Sequence, residues 1–179
     1  GQGAALVSAG QDALNGCLKH VAHTDFDHRQ ADQFGRVVVD FLLLGRDVGL
    51  AVPKNGSLTA WAQRGVLLIN TCWSVEQGQA ASHAGKGWDA LTDEVIQAVS
   101  TSVPVCVYLL WGAHAQSKAP VIEKIAAQSG QNSLVLQANH PSPLSALRGP
   151  VPFMGCRHFS AAQAWLNRRG ADFSWNLEN

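Results

Sequence analysis

A six-residue stretch, His140-Pro141-Ser142-Pro143-Leu144-Ser145, places an imidazole, two hydroxyls and an apolar side chain on one loop. An imidazole N–H can donate a hydrogen bond to an oxygen on which negative charge develops, and serine hydroxyls and backbone N–H groups suit phosphate oxygens. The prolines stiffen the loop, so that little entropy is lost when a ligand orders it. Taken singly, the residues have simpler structural interpretations. The histidine can make its hydrogen bonds within the loop, the serines can form a turn, and the leucine can pack under the loop.

Two further side chains, distant along the chain, carry groups that could act with this loop. Asn70 ends an apolar run and offers an amide donor and a carbonyl acceptor, which together can read a ligand edge that presents one acceptor and one donor. Asp12 follows Gly10-Gln11 and offers a carboxylate that can orient a water molecule for attack. The plainer reading of Asn70 is a helix cap or a turn. Joint chemistry requires these side chains to converge, which depends on the elements around them.

Helical and strand patterns alternate from about residue 57 onwards. The patterns predict strands over residues 66–70, 105–110 and 133–137, and helices over residues 57–64, 88–100, 119–128 and 160–169. We expect the last helix to begin at a Ser160 cap and to stop at Gly170. Residues 4–9 predict a further short strand, whereas residues 37–44 read equally well as a strand or as a buried helical turn.

This alternation predicts an α/β fold. Strands separated by helices imply right-handed crossovers, and we expect a single domain over residues 1–179 with a central, mostly parallel four-stranded sheet and helices on both faces. Functional sites of such sheets lie beyond the carboxyl ends of the strands. Asn70, Trp111-Gly112 and His140 each follow a predicted strand, so we expect them to meet in one crevice.

Composition and charge narrow the class of protein. The 179 residues are 46% hydrophobic without a long uninterrupted apolar run, which predicts a sizeable core and no membrane span. The 4 cysteines have no C-x-x-C spacing and the N-terminus lacks a secretory pattern, so a cytoplasmic, or otherwise intracellular, location is expected. The net charge is zero, but residues 140–171 hold four arginines and no acid. That segment is locally positive.

Other chemistries have less support in the sequence. His20, His23 and His28 lie near two aspartates, and histidine and carboxylate are ligands that suit zinc, but their spacing matches no strong zinc signature. A solvated polar loop is the simpler interpretation. Cys156 and His158 lie close together on a segment where neighbouring side chains point apart, which disfavours a thiol nucleophile. The sequence contains neither of the glycine-rich phosphate-binding motifs, G-x-G-x-x-G and G-x-x-x-x-G-K-[ST], so an unrelated nucleotide-binding enzyme is disfavoured.

Several segments, in the same order along the chain, resemble the uracil-DNA glycosylases of the main, family 1 type. The matching segments are residues 61–70 (WAQRGVLLIN), Ala81-Ser82-His83 with Gly87-Trp88 and Thr92-Asp93, residues 109–112 (LLWG), residues 140–145 (HPSPLS) and residues 155–160 (GCRHFS). The loop that begins at His140 matches the family pattern H-P-S-P-L-S completely. The likeness covers roughly residues 48–179.

The resemblance implies a DNA repair enzyme that flips uracil out of single- or double-stranded DNA and hydrolyses its N-glycosidic bond. By this likeness His140 donates as a neutral imidazole to the uracil oxygen, Asn70 reads the uracil edge, and Leu144 fills the vacated space. The other residues expected to contact DNA are Pro141, Ser142, Pro143, Ser145 and Arg148. We expect a monomer that needs no metal or organic cofactor, and that a protein inhibitor mimicking DNA can bind, as in the family.

The N-terminal part keeps half of the family's water-activating motif. The family has Gly-Gln-Asp followed by Pro-Tyr-His, whereas here Gly10-Gln11-Asp12 is followed by Ala13-Leu14-Asn15. The likeness assigns Asp12 as the carboxylate that orients water and Gln11 as a uracil contact. Residues 13–45 depart from the family pattern, through divergence, redesign or a frame shift. A DNA-binding relative that has lost catalysis therefore stays open as the alternative.

Overall fold

The computed structural model describes residues 3–8, 59–79, 82–142 and 144–176. Within these ranges the chain forms four strands and five helices, in the order β1 Gly3–Ser8, α1 Thr59–Gln63, β2 Val66–Asn70, α2 Trp88–Ser102, β3 Val105–Trp111, α3 Ala113–Gln116, α4 Ala119–Ser129, β4 Asn132–Ala138 and α5 His158–Asn167. Across these same ranges no helix combines the length and the apolar character needed to cross a membrane.

The four strands form one sheet in the order β2-β1-β3-β4. Strands β3 and β4 pair in parallel, whereas β1 is antiparallel to both β2 and β3. Three strands thus run in one direction, and the α/β class with a mostly parallel sheet is confirmed. The direction of the first strand differs from the expectation: a succession of right-handed crossovers would make β1 parallel to its neighbours, and it runs against them.

The register of β1 fixes which end of this strand lies at which edge of the sheet. Gly3 pairs with Asn70 on one side and with Trp111 on the other, and Ser8 pairs with Cys106. The carboxyl ends of β2, β3 and β4 therefore lie side by side with the amino end of β1, in one row of strand ends. We call this the site edge. The chain leaves β1, at Ser8, from the opposite edge.

The sheet carries helices on both faces, as the alternation of elements predicts. Side chains of β3 alternate between two buried clusters, since successive residues of a strand point to opposite faces. Leu109 and Trp111 pack with residues of α1 and α5, including Phe159. Tyr108 and Leu110 pack with residues of α2 and α4 on the other face. Burial on both sides holds β3 in place and so fixes the position of its carboxyl end.

Helix α5 begins two residues earlier than its sequence predicts. Its first residue is His158, preceded by Arg157 at a φ of 55°. Ser160 is therefore inside the first turn and not the cap, and its hydroxyl donates to the carbonyl oxygen of Arg157 at 3.0 Å. The helix ends at Asn167, shortly before Gly170 at a φ of 81°. The first two residues of the helix predicted over 57–64, and the ambiguous segment 37–44, lie outside the described residues.

Candidate functional site

The site edge brings together the ends of three strands that the sequence analysis singled out. Asn70 ends β2, Trp111 ends β3 and Ala138 ends β4, with His140 two residues further on. Because neighbouring strands lie about 4.8 Å apart, the ends of β2 and β4 are separated by about 14 Å across this four-stranded sheet. Asn70 and His140 thus lie on opposite sides of the ends of β1 and β3.

The imidazole of His140 is held in one tautomer. Its Nδ1 accepts the backbone N–H of Ser142 at 3.0 Å, so Nδ1 carries a lone pair and the ring proton sits on Nε2. Burial lowers the pKa of His140 from 6.5 to about 4. At neutral pH the residue is therefore an uncharged imidazole with an Nε2–H group available as a hydrogen-bond donor.

Gly112 allows the end of β3 to pack directly against this imidazole. It has a φ of 89°, which favours glycine, and its N–H donates to the carbonyl oxygen of Ala138 at 2.9 Å. A methyl group added at this position would lie 3.1 Å from Cβ of His140. The glycine thus meets both a conformational and a steric requirement where β3 and β4 leave the sheet.

The two serines of the loop point their polar groups inwards. The hydroxyl of Ser145 donates to the carbonyl oxygen of His140 at 2.8 Å, and the Ser142 hydroxyl lies 2.9 Å from that of Ser145. Since the Ser145 proton is already committed, Ser142 is the donor of this second bond. The backbone N–H of Ser145 donates to the carbonyl oxygen of Ser142. The serines therefore shape the loop, and their hydroxyls must rotate before they can contact a phosphate.

The outer side of the loop presents a leucine and an arginine to solvent. Leu144 is 77% exposed, and the side chain of Arg148 is also exposed. Pro141 is buried beneath the loop, and Pro143 lies outside the described residues. The side chains of Leu144 and Arg148 are therefore accessible to a ligand, and their expected contact with DNA stays a prediction.

Asn139 is a positioning residue that the sequence analysis missed. Its side-chain Nδ2 donates to the carbonyl oxygens of Arg148 and Gly149, and its backbone N–H donates to that of Val151 at 2.9 Å. These bonds tie the far end of the loop back to the end of β4. An asparagine directly before the loop is the signal that could have drawn attention to it, because its amide can close turns.

His158 supports the site edge from beneath. Its Nδ1 accepts the indole N–H of Trp111 at 3.0 Å, and the residue is only 5% exposed. Burial lowers the pKa of His158 from 6.5 to about 4, so this ring is also neutral at physiological pH. The contact gives His158 a role in fixing the end of β3, as opposed to activating Cys156.

Part of the expected site falls outside the described residues. Asp12 and Gln11 belong to this part, as do the candidate zinc ligands His20, His23 and His28. Where the structure does describe the chain, it shows no group of three or more His, Cys, Asp or Glu side chains arranged to hold a metal ion. The roles of Asp12 and Gln11 therefore stay predictions.

The known proteins to which this chain is similar belong to the family that its sequence motifs indicate. Residues 4–167 match the model of the uracil DNA glycosylase superfamily. A uracil-DNA glycosylase of Albidiferax ferrireducens is 57% identical over 132 residues, which are 71% of this chain and 53% of that protein. One of Pseudomonas entomophila is 50% identical over 135 residues, 75% of this chain and 55% of that protein. The chain spans about half the length of the curated relatives it matches.

Two solved structures with a similar fold are of a mimivirus protein. Two crystal structures of variants of mimivirus UNG, each in complex with UGI, superpose with TM-scores of 0.61 and 0.58 at 22% and 21% sequence identity. The first likeness covers 78% of this chain and 55% of the viral chain, and the second covers 74% and 52%. At this level of identity the likeness concerns the fold.

Proposed function

The chain belongs to the uracil-DNA glycosylase superfamily, and we propose that it flips uracil out of DNA and hydrolyses the N-glycosidic bond. The products are free uracil and an abasic site. The observation that carries the proposal is the state of His140, a neutral imidazole whose Nδ1 is occupied by the Ser142 N–H and whose Nε2–H is left to donate. A donor of this kind is what the departing uracil needs.

The chemistry follows from the charges that develop as the bond breaks. The C1′–N1 bond cleaves with its electron pair moving onto uracil, so negative charge grows on the uracil oxygens and positive charge on the sugar. The Nε2–H group of His140 hydrogen-bonds one such oxygen more strongly in the transition state than in the ground state, which lowers the barrier. The Asn70 amide accepts from and donates to the base edge and rejects the amino group of cytosine.

A water molecule completes the reaction at the sugar. It attacks C1′, gives its proton to a base and leaves a hydroxyl on the sugar. The resemblance assigns the carboxylate that orients this water to Asp12, and a uracil contact to Gln11. Both residues lie outside the described part of the chain, so these two roles rest on the motif alone.

DNA contacts follow from the loop and the positive segment around it. Leu144 enters the space that the uracil vacates, Arg148 contacts phosphate, and the serine hydroxyls of the loop rotate outwards to do the same. Pro141 and Pro143 keep the loop stiff. Because phosphate contacts release counterions, DNA affinity falls as salt rises.

A second candidate function is favoured by one observation, the direction of β1. In this candidate the chain binds uracil in DNA through the ends of β2 and β4 but does not hydrolyse the bond. Strand β1 is antiparallel to its neighbours, and Ser8 leaves the sheet at the edge opposite Asn70 and Trp111. Ser8, the last described residue before the segment to which water activation is assigned, thus lies at the end of the sheet away from the site edge.

The remaining features of the proposal concern the protein's setting. It acts as a monomer in the cytoplasm, through one domain over residues 1–179, and uses protein donors alone in place of a metal or organic cofactor. A protein inhibitor that mimics DNA binds the same surface. The viral relatives with a similar fold were crystallised with UGI, which supports this last point.

The test uses a labelled oligonucleotide with a single uracil, both as a single strand and in a duplex. Alkaline cleavage after incubation reveals abasic sites, and the same oligonucleotide with thymine is the control. In parallel, binding is measured by fluorescence anisotropy with 2′-fluoro-2′-deoxyuridine, which resists cleavage. Abasic product supports the glycosylase. Uracil-dependent binding without product supports the second candidate. If neither abasic product nor uracil-dependent binding is observed, both candidate functions are rejected.

A further inference from the structure

Two tryptophan rings are stacked on each other in the part of the chain that follows β2. Trp73 lies in the loop after this strand and Trp88 begins α2, and their ring centroids are 5.6 Å apart with an angle of 13° between the planes. Trp73 is 36% exposed. The tryptophans of the core are at most 9% exposed, namely Trp61, Trp111, Trp165 and Trp175. Because a ring of this size is usually mostly buried, the exposed part of Trp73 is a surface that a ligand can use.

Contacts with α2 hold the Trp73 ring in place. The indole N–H of Trp88 donates to the hydroxyl of Ser74, the residue after Trp73, at 2.8 Å. The hydroxyl of Thr92, one turn further along α2, donates to the carbonyl oxygen of Thr71 at 3.3 Å. The chain is thus bonded to one helix on both sides of Trp73, and a ring held in this way loses little entropy when it binds a ligand. Since Trp88 covers one face of the ring, a ligand approaches from the opposite face or from the edges.

Trp73 is close to the residue that is expected to read uracil. Asn70 ends β2, and three residues of chain span at most about 11 Å, so the backbone of Trp73 lies within this distance of Asn70. The residues after Asn70 leave β2 at the site edge. This strand is the outermost of the described sheet on one side, and β4, with the loop that holds His140, is the outermost on the other. Trp73 is therefore near the expected uracil site but belongs to a different part of the site edge from that loop.

The position and the shape of the ring favour a DNA base as its occupant. A strand whose uracil lies at Asn70 continues on both sides of it, which brings a neighbouring nucleotide to the vicinity of Trp73. Bases stack on aromatic side chains whatever their sequence, because every base has a flat π face. In a duplex the neighbours of a flipped uracil stay paired and stacked within the helix, whereas in a single strand they are free. The base that can stack on Trp73 is therefore an unpaired one.

We propose that Trp73 is a stacking site for an unpaired base next to the uracil, and that it strengthens the binding of single-stranded DNA without strengthening that of duplex DNA. This inference rests on the proposed function, since it needs uracil to be held at Asn70. No bond is made or broken at Trp73, and the ring supplies only a contact area for one base. Stacking involves no charged group, so this contact does not release counterions as a phosphate contact does.

The test measures binding of single-stranded oligonucleotides that carry 2′-fluoro-2′-deoxyuridine, with thymine on both sides of the analogue or with a base-free spacer in place of either neighbour. We expect Trp73→Ala to weaken binding of the thymine-flanked single strand by about 5–50-fold, which is the loss of one stacked base, and duplex binding by less than about 2-fold. Trp73→Phe keeps an aromatic ring and should stay within about 3-fold of the parent. The matched control is Val75→Ala, which removes an exposed side chain without a ring from the same loop and should leave both affinities unchanged.

The spacer oligonucleotides separate stacking from a loss of loop stability. One of the two spacers should weaken binding to the parent by the same factor, whereas Trp73→Ala should bind the spacer and thymine forms equally. Because each protein is compared with itself on two ligands, a smaller fraction of folded variant cannot produce this pattern. The slope of affinity against salt concentration should be the same in Trp73→Ala as in the parent, since only the loss of a phosphate contact would change it.

A spectroscopic measurement reports the stack directly. With 2-aminopurine in the single strand next to the uracil analogue, the parent should quench the fluorescence of this base on binding, because stacking on an indole quenches it. Trp73→Ala should leave the fluorescence of the bound strand higher, and Val75→Ala should quench it as the parent does.

Three outcomes would overturn the role of Trp73 while leaving the glycosylase intact. The first is that neither spacer weakens binding to the parent. The second is an equal loss in Trp73→Ala and Val75→Ala, or on single strand and duplex, which would indicate a general effect on the loop. The third is a dimer that Trp73→Ala dissociates with single-strand affinity unchanged, which would make the ring a contact with a second copy of the chain. If the parent shows no preference for uracil-containing over thymine-containing DNA, the proposed function itself fails, and this inference fails with it.

Discussion

The loop after β4 and the strand β1 both reach the site edge, but they present opposite ends of their strands there. Strand β4 arrives with its carboxyl end, so the residues after Ala138 fold over the edge and hold His140 in one tautomer. Strand β1 arrives with its amino end, Gly3, and leaves from the other edge at Ser8. In sheets of this class the residues that follow a strand build the site.

The comparison separates two functions that a glycosylase combines. In the proposed function, stabilising the uracil anion is assigned to Asn70 and His140, at the ends of β2 and β4. Orienting water is assigned to Asp12, which follows β1. A chain with this arrangement can retain the first function independently of the second.

The largest effect is expected at the segment that follows β1. If Asp12 orients the attacking water, Asp12→Asn should lower kcat for uracil excision by about 10²–10⁴-fold while binding of the uracil analogue stays within about 2-fold. Single-turnover kinetics with the uracil duplex measures this. The control is Asp172→Asn, an exposed carboxylate after α5. Undiminished activity in Asp12→Asn would show that another group orients the water, and would break the assignment to this segment.

The next effect is expected on the β4 side. His140→Ala removes the Nε2–H donor and should lower kcat by about 10²–10³-fold, because the negative charge on the departing uracil then lacks its hydrogen bond. The control, His83→Gln, changes a histidine in the loop after β2 that bonds Ser74 and Glu76. A variant at His140 that keeps full activity would contradict the assignment that carries the proposed function.

These two regions also differ in how far the sequence predicts them. Apolar runs that end on a polar residue predict β2 and the position of Asn70, and the loop motif marks His140. The direction of β1 was not predictable from its own residues, because alternation with a period of two reads the same in both directions. Nor does any local pattern predict the bond between Trp111 and His158, which joins residues 47 apart in sequence.

The hydrogen bonds inside the loop were likewise not predictable from the sequence. From sequence, the hydroxyls of Ser142 and Ser145 are expected to contact phosphate, whereas in the structure each is hydrogen-bonded within the loop. Similarly, the rule that favours serine caps places the start of α5 at Ser160, whereas Arg157 adopts a positive φ and the helix begins at His158. Side-chain partners depend on the folded backbone, which residue type alone does not specify.

A smaller effect is expected where β3 meets the His140 loop. Gly112→Ala places a methyl group 3.1 Å from Cβ of His140 at a φ of 89°, so the ring must shift. We expect kcat to fall by about 10-fold, because a displacement of a few tenths of an ångström weakens an aligned hydrogen bond. The control is Gly130→Ala, with a φ of 72° and open space around the added methyl group.

The pair of glycine variants separates strain from displacement. Both should lower the unfolding free energy: Gly130→Ala by about 1–2 kcal/mol, because it forces a left-handed helical conformation on alanine, and Gly112→Ala by about 1–3 kcal/mol, because φ 89° with ψ 160° is a region that essentially only glycine adopts. Only Gly112→Ala should lose activity. Equal kcat values in the two variants would mean that the packing of Gly112 on His140 does not position the imidazole.

The smallest effect concerns how folding stability depends on pH, and it tests the contact between His158 and Trp111 beneath the site edge. The pKa of His158 is lowered from 6.5 to about 4 in the folded protein, so between these values the unfolded chain binds the proton more readily. Folding stability from this residue is therefore fully present above pH 6.5 and is lost as the pH falls towards 4, by on the order of 1–3 kcal/mol. His158→Gln retains an acceptor for the indole N–H of Trp111 but does not titrate. Urea unfolding of the parent at pH 7 and pH 5 should show a larger loss of stability than the variant shows. Equal losses of stability in the parent and in His158→Gln would show that another group causes the acid sensitivity. They would also show that the contact with Trp111 does not depend on a neutral histidine.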